Sequence, residues 1–177
     1  MSATERSIDI ASLIRDVPDF PQPGILFKDI TTMLKDGDSF KSAVDGLLAK
    51  VKGKPIDVVV GMESRGFIFG APIAYALGVG FVPVRKLGKL PADVVSVEYD
   101  LEYGSATLEM HKDALKAGAR VLIVDDLLAT GGTVAGTIEL VKQLKGEIVA
   151  LAFLIELKAL HGRDRLQGYE IATLIEF

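Results

Sequence analysis

The stretch Val121-Leu122-Ile123-Val124-Asp125-Asp126-Leu127-Leu128-Ala129-Thr130-Gly131-Gly132-Thr133 decides how this chain folds. Four aliphatic residues, three of them β-branched, stop at two carboxylates and then break into a glycine turn. An uninterrupted apolar run of this kind reads as a strand buried on both faces, the usual condition of a parallel sheet in an α/β domain. The turn then opens at the carboxyl edge of that sheet. Gly131 and Gly132 permit a tight backbone turn, and Thr130 and Thr133 place hydroxyls beside the free N–H groups of a helix expected to start near Val134. Such a turn favours an anion, phosphate above all. Asp125 and Asp126 would repel a bare phosphate, so they must serve another part of the ligand. A sugar diol meets that need, and the whole stretch suits a ribose 5-phosphate. The bland alternative is a plain strand–turn–helix with exposed acids. No lysine follows Gly132, which departs from a P-loop, and the acids precede the glycines, which departs from a dinucleotide fingerprint.

Working outward, 177 residues with 49% hydrophobic and 25% charged side chains fit one globular domain with a sizeable core. Twenty basic against 24 acidic residues give a net charge of −4, unlike the strongly basic surface of a usual nucleic-acid binder. The absence of cysteine excludes disulfides and thiolate metal sites, and two histidines, His111 and His161, are too few for a structural zinc site. His111 reads as a surface residue, with no metal or nucleophile pattern beside it. The first residues lack the basic-then-apolar order of a signal peptide, and no apolar run reaches 18 residues, so a cytoplasmic protein without membrane contact is expected.

Upstream, residues 5–15 have the spacing of a short amphipathic helix, with Ile8, Leu13 and Ile14 inward. Pro18, Pro21, Pro23 and Gly24 then impose an extended, turning path that ends in Ile25-Leu26-Phe27-Lys28-Asp29. By itself this arm reads as a cover for the core. Phe40, Val44, Leu47, Leu48 and Val51 follow helical spacing, with Asp38 or Ser39 available as cap. Residues 56–60 read as a strand, followed by the loop Gly61-Met62-Glu63-Ser64-Arg65-Gly66 and an apolar run in which Pro72 predicts a kink or a late start near Ala71. This second strand–loop–helix unit offers another turn suited to an anion, although Glu63 and Arg65 could equally face water.

Residues 80–84 form a third strand candidate leading into Arg85-Lys86-Leu87-Gly88-Lys89, three positive charges within five residues of an acidic protein. Residues 88–104 show little periodicity and predict a long loop or loose hairpin, a length often used as a lid. Ser105–Met110 reads as the returning strand. Beyond the opening stretch, Val134, Ile138, Val141 and Leu144 keep helical spacing, 148–155 is a long apolar strand, and 169–177 is the final strand after a turn at 161–165. Three strand–loop–helix–strand connections predict an α/β fold with a mostly parallel central sheet and helices on both faces, carrying an antiparallel lid.

Residues 121–133 resemble the phosphoribosyl-pyrophosphate signature of the type I phosphoribosyltransferase family, in the form Asp-Asp-Leu-Leu-Ala-Thr-Gly-Gly-Thr found in members that use adenine. The resemblance extends from the arm near Phe20 to the Leu157 region. It implies a single domain over 1–177, with an N-terminal arm of about 1–35 contributing to a small hood over the base and a flexible lid at about 88–110. It implies transfer of phosphoribose to a purine, with adenine ahead of hypoxanthine, guanine or xanthine, and a non-catalytic sensor of the donor as a more distant alternative. The implied ribose 5-phosphate residues are Asp125, Asp126, Ala129, Thr130, Gly131, Gly132 and Thr133. Those for pyrophosphate are Glu63, Ser64, Arg65, Gly66, Arg85, Lys86 and Lys89. Leu26, Phe27, Lys28 and Leu157 would enclose the base. Glu102 would be the acid/base, with Tyr103 beside it in the lid. Mg²⁺ would be bound mainly through the substrate and not by a dedicated protein site, and a homodimer is implied. In this family the Arg65 loop often holds a strained or cis peptide.

Overall fold

The computed structural model describes residues 8–100 and 105–177, which divide into two compact units, Met1–Gly46 and Leu47–Phe177. In the first, β1 (Arg15–Pro18) and β2 (Leu26–Asp29) form an antiparallel ribbon. Its register sets Arg15 opposite Asp29 and Asp16 opposite Lys28, so each charge faces its complement across the ribbon. Arg15 donates to Asp29, and Lys28 Nζ lies 2.6 Å from Asp16. These cross-strand pairs explain why the expected helix over 5–15 is not found in its described part. Only a 3-10 turn, Ala11–Leu13, precedes the strand. A short helix, α1 (Thr31–Leu34), follows β2.

The next helix, α2 (Gly37–Lys50), is capped neither by Asp38 nor by Ser39. Asp36 accepts both the Ser39 amide at 2.8 Å and the Ser39 hydroxyl at 2.5 Å. The spacing is that of a side chain one residue before the helix reaching the third N–H. These bonds hold the Asp36 carboxyl below its ordinary pKa.

The second unit is built on β3 (Val58–Met62), α3 (Gly66–Leu77), β4 (Gly80–Lys86), β5 (Val94–Asp100), β6 (Ser105–His111), β7 (Arg120–Leu128), α4 (Gly132–Gln143), β8 (Glu147–Glu156) and β9 (Ile171–Glu176). Seven strands form one sheet in the order β5-β6-β4-β3-β7-β8-β9. β4, β3, β7, β8 and β9 are mutually parallel, and the β5–β6 hairpin joins antiparallel at the β4 edge. Two of the three expected crossovers use an α-helix; the third, β8 to β9, passes through the 3-10 turns Lys158–Leu160 and Gly162–Leu166.

Strand alternation sorts the core into two faces. Val58, Val60, Met62, Val121, Ile123, Leu151 and Phe153 pack with Val134, Ile138 and Val141 of α4. The intervening Val59, Leu122, Val124, Ala150, Ala152 and Leu154 are equally buried on the side that carries α3. Helices therefore cover both faces, as expected. On the α3 side the Phe81 ring fills the space left by Gly61 and Gly70, where an added Cβ would lie 2.6 and 2.8 Å from the ring. α3 begins at Gly66 and runs through Pro72 without waiting for it, so the early turns form although Pro72 has no N–H to return to Ile68.

Of the long loop or loose hairpin expected at 88–104, the hairpin is what forms over the described residues, with a full strand at Val94–Asp100 paired antiparallel to β6. Val95, Val97 and Tyr99 alternate inward from β5 and pack on the α4 side, while β6 pairs with β5 along its length and with β4 at Arg85–Glu109 and Lys86–Leu108. Glu102 and Tyr103 lie outside the described residues.

Candidate functional site

Strand order locates the site. β3 connects outward to β4 through α3, and β7 connects in the opposite direction to β8 through α4. The two central strands thus send their loops to opposite sides, leaving a crevice at their carboxyl ends, where open α/β sheets bind ligands. The loops at this crevice are Glu63–Arg65 and Ala129–Gly131, the second preceded by Asp125 and Asp126 on β7, and both belong to the stretches that the sequence singled out.

The second loop reaches α4 through Gly131, whose φ of 82° is left-handed and strains any residue with a Cβ. No side chain caps α4, so its first-turn N–H groups and the positive end of its dipole are directed into the loop. α4 starts at Gly132, two residues before the expected Val134. A cavity of about 70 Å³ opens there, lined by Asp125 and residues 127–134, with Met62 alongside. Ala129, Thr130, Gly131, Gly132 and Thr133 are therefore gathered as expected. The Thr130 and Thr133 hydroxyls are not used as caps, which leaves them for a ligand.

The two aspartates separate. Asp125 continues the α4-side alternation of Val121 and Ile123 and borders the cavity. Its Oδ1 accepts the Asp126 amide at 2.8 Å. Asp126, only 3% exposed, turns to the α3 side, where its Oδ2 forms an ion pair with Arg65 Nε at 3.0 Å. Burial, with the neighbouring Asp126 charge, pushes the Asp125 carboxyl well above the usual carboxylate range. Burial raises Asp126 too, and Arg65 opposes it. The structure thus presents one acid to the cavity and gives the other to the first loop.

That first loop lies tight against the second. A Cβ on Gly66 would stand 2.8 Å from the Val124 carbonyl oxygen and 2.9 Å from Asp125 Oδ1. The Glu63–Ser64 peptide is cis, and Ser64 is exposed. The Glu63 carboxylate faces the basic cluster, accepting Lys89 Nζ at 2.6 Å, the Lys86 amide at 3.1 Å and Arg85 Nε at 3.3 Å. Burial works to raise the Glu63 pKa, but Lys89, the Lys86 amide and Arg85 together outweigh it and hold it at about 2. Arg65, Arg85, Lys86 and Lys89 thus share one neighbourhood with the loop, Lys86 through its main chain and with an exposed side chain.

Leu26, Phe27 and Lys28 lie on β2 in the first unit, where the Phe20 and Phe27 rings meet edge to face with centroids 5.1 Å apart. Leu26 is half exposed. Leu157 follows β8 in the second unit, its amide held by the Leu128 carbonyl at 2.9 Å.

Three supports escaped the sequence reading. A Cβ on Gly162 would lie 2.2 Å from the Ala129 carbonyl oxygen, and one on Gly131 would lie 2.6 Å from the Gly162 carbonyl oxygen, so the turn after β8 braces the loop before α4 backbone to backbone. Arg163 grips buried Glu156 at 2.7 and 2.6 Å and holds that carboxyl below its ordinary pKa. Buried Glu109 accepts the Gly88 amide at 2.9 Å. The His161-Gly162 pair was the one visible signal, a glycine inside a turn already read as such.

Residues 31–175 match the family model of the phosphoribosyl transferase domain. The chain is 62% identical over 164 residues to an adenine phosphoribosyltransferase of Clostridium perfringens, covering 93% of this chain and 95% of that one. Among solved structures it superposes on the adenine phosphoribosyltransferase of Thermoanaerobacter pseudethanolicus with a TM-score of 0.95 and 53% identity, covering 97% of this chain and all of that one. The Saccharomyces cerevisiae enzyme, complexed with an imino-altritol bisphosphate and adenine, matches with a TM-score of 0.89 and 41% identity over 95% of this chain and 97% of that one.

Proposed function

Because this chain belongs to the phosphoribosyltransferase domain family, and within it to the adenine phosphoribosyltransferases, we infer that its two central loops bind a phosphoribosyl donor. The enzyme transfers phosphoribose from 5-phospho-α-D-ribose 1-diphosphate to adenine, a purine-salvage reaction that forms AMP and pyrophosphate. The observation that carries the site assignment is the cavity at the uncapped start of α4, with Asp125 at its edge and the Arg65 loop against it.

In this reading the main chain of Ala129, Thr130, Gly131 and Gly132, with the Thr130 and Thr133 hydroxyls, holds the 5-phosphate. Asp125 accepts hydrogen bonds from the ribose diol. Asp126 reaches the ribose as well, once donor draws Arg65 away, and until then it holds that arginine in place. The Glu63, Ser64 and Gly66 main chain, Arg65, and the cluster of Arg85, Lys86 and Lys89 receive the pyrophosphate. Charge separates at the anomeric carbon as pyrophosphate leaves, so fixed cations at the departing anion and in-line positioning are what the protein can contribute. Asp125 is the residue that would hold Mg²⁺ or its water, with the ion bound mainly through the donor, and the ion would supply charge neutralisation for the departing pyrophosphate. Leu26, Phe27, Lys28 and Leu157 are carried over from the family resemblance as the base-binding residues. Glu102, supported by Tyr103, handles the proton on the purine ring, and the hairpin excludes water as it closes.

Adenine, donor and Mg²⁺ incubated with the protein should yield AMP and pyrophosphate in equal amounts. Hypoxanthine, guanine and xanthine competed against adenine should not displace it. Absence of AMP would overturn the activity, and preference for another base would overturn the base assignment alone. We also assign a cytoplasmic homodimer, whose interface would cover Leu87, 65% exposed beside the basic cluster. A monomer by sedimentation at assay concentration contradicts that assignment.

A further inference from the structure

Donor binding does not account for what the Glu63 side chain does. Continuing the β3–β4 register one pair beyond Met62–Val84 sets Glu63 beside Arg85 on the α3 side of the sheet. The Glu63 side chain is 9% exposed, and its carboxylate takes Lys89 Nζ at 2.6 Å together with both Nε and Nη2 of Arg85, at 3.3 and 3.5 Å. Apart from the Lys86 amide, which Glu63 Oε2 accepts at 3.1 Å, the shape of the cationic loop has other sources. Glu109 holds the Gly88 amide, the Thr107 carbonyl holds the Leu87 amide at 3.2 Å, and Arg85 Nη1 donates to the Lys89 carbonyl at 3.2 Å. The contacts from Glu63 to the side chains of Arg85 and Lys89 therefore add little to the loop's path. Their effect is to neutralise the two cations that the pyrophosphate must use.

We propose that Glu63 is a resident counter-ion that competes with pyrophosphate for Arg85 and Lys89, weakening the enzyme's hold on that product and speeding its release. The proposal rests on the reading that this cluster receives pyrophosphate. An anion bearing several charges, held by two uncompensated cations, would leave slowly. A carboxylate already in contact with both cations returns to them as the product departs, so they are never left bare. The depressed pKa keeps Glu63 ionised over the whole working range of pH, so the competitor is always present. The cations are 34% and 48% exposed, so water screens the competition and its effect is moderate.

The test titrates inorganic pyrophosphate with Mg²⁺ into the full chain and into Glu63→Gln, Glu63→Asp and Arg85→Ala variants, and follows AMP formation before and after the first turnover. Glu63→Gln should bind pyrophosphate roughly threefold to tenfold tighter, the size expected for partly exposed ion pairs. It should also show a burst of AMP followed by a slower steady state. Glu63→Asp, whose shorter carboxylate withdraws from Lys89, should fall between the two, and it covers the case in which the glutamine variant does not fold. Arg85→Ala should bind pyrophosphate more weakly. Unchanged or weaker pyrophosphate binding by both Glu63 variants, with Arg85→Ala weakened, overturns the counter-ion and leaves the cluster's role intact. Unchanged binding by Arg85→Ala overturns that underlying role.

Discussion

Asp125 and Asp126 are adjacent in sequence and opposite in placement, because neighbours on a strand point to opposite faces. Asp125 bears the cost of facing the cavity at the start of α4. Its carboxyl pKa is raised by burial and by the Asp126 charge, so the folded state binds the proton more tightly than the unfolded chain does. For a raised acid the linkage runs in one direction. Its stabilising contribution is complete below the unfolded pKa and is lost as pH rises through the folded one, leaving the charged form opposed to folding at neutral pH. Asp125→Asn keeps an oxygen to accept the Asp126 amide and removes that charge. Without ligand at pH 7.5 its Tm should rise by about 2–4 °C, and the gain should vanish near pH 4. Its KM for the donor should rise by about tenfold or more, since the diol loses a charged acceptor. A lower Tm at pH 7.5 would show that the carboxylate supports the fold and is not strained for function.

At the scale of elements, the loop between β7 and α4, proposed to hold the 5-phosphate, depends on a turn from elsewhere in the chain. Gly162 meets the Ala129 carbonyl so closely that a methyl at that position, 2.2 Å from the oxygen, must drive the turn and the loop apart. Gly162→Ala should destabilise the protein by about 1–3 kcal/mol and raise the donor KM several-fold. Gly168→Ala is the matched control, since φ of 87° makes it strained while nothing lies within 4 Å of the new methyl. It should lose about 1 kcal/mol and leave KM unchanged. Equal effects on KM from both would mean that loss of stability alone, and not the brace, weakens binding. This brace also marks where sequence reading reached its limit. The Val121–Thr133 stretch was legible because burial, chain direction and turn chemistry are all written into consecutive residues. The contact of Gly162 with Ala129 was not, since neither residue carries a side chain that announces it. Residues 94–100 were legible only as part of a long loop or loose hairpin: Val95, Val97 and Tyr99 alternate, but Gly88 and Pro91 hid the regularity of the strand. The helix expected over 5–15 gave way to β1 because Arg15 and Asp16 find their complements on β2, 14 and 12 residues onward.

For the molecule as a whole, the net charge of −4 opposes a ligand that is itself strongly anionic, so binding depends on how locally the cations are arranged. Arg65 is paired with Asp126, and Arg85 and Lys89 with Glu63, and all three lie at the carboxyl edge of the sheet. These side chains are 33%, 34% and 48% exposed, open enough for dissolved ions to reach. The screening length falls from roughly 14 Å at 50 mM salt to about 6 Å at 300 mM, by scaling from about 10 Å at 0.1 M. The attraction that gathers the donor against the molecule's own charge should weaken over that range. Adenine is neutral, so its binding has no comparable field to lose. Raising potassium chloride from 50 to 300 mM should therefore raise the KM of the donor about threefold to tenfold while leaving that of adenine within about a factor of two. Glu63→Gln, which removes one competing negative charge from the cluster, should start from a lower donor KM and show a steeper salt dependence. Equal salt sensitivity for donor and adenine would mean that salt acts on the fold or on hairpin closure, and that the local arrangement of cations does not govern donor binding.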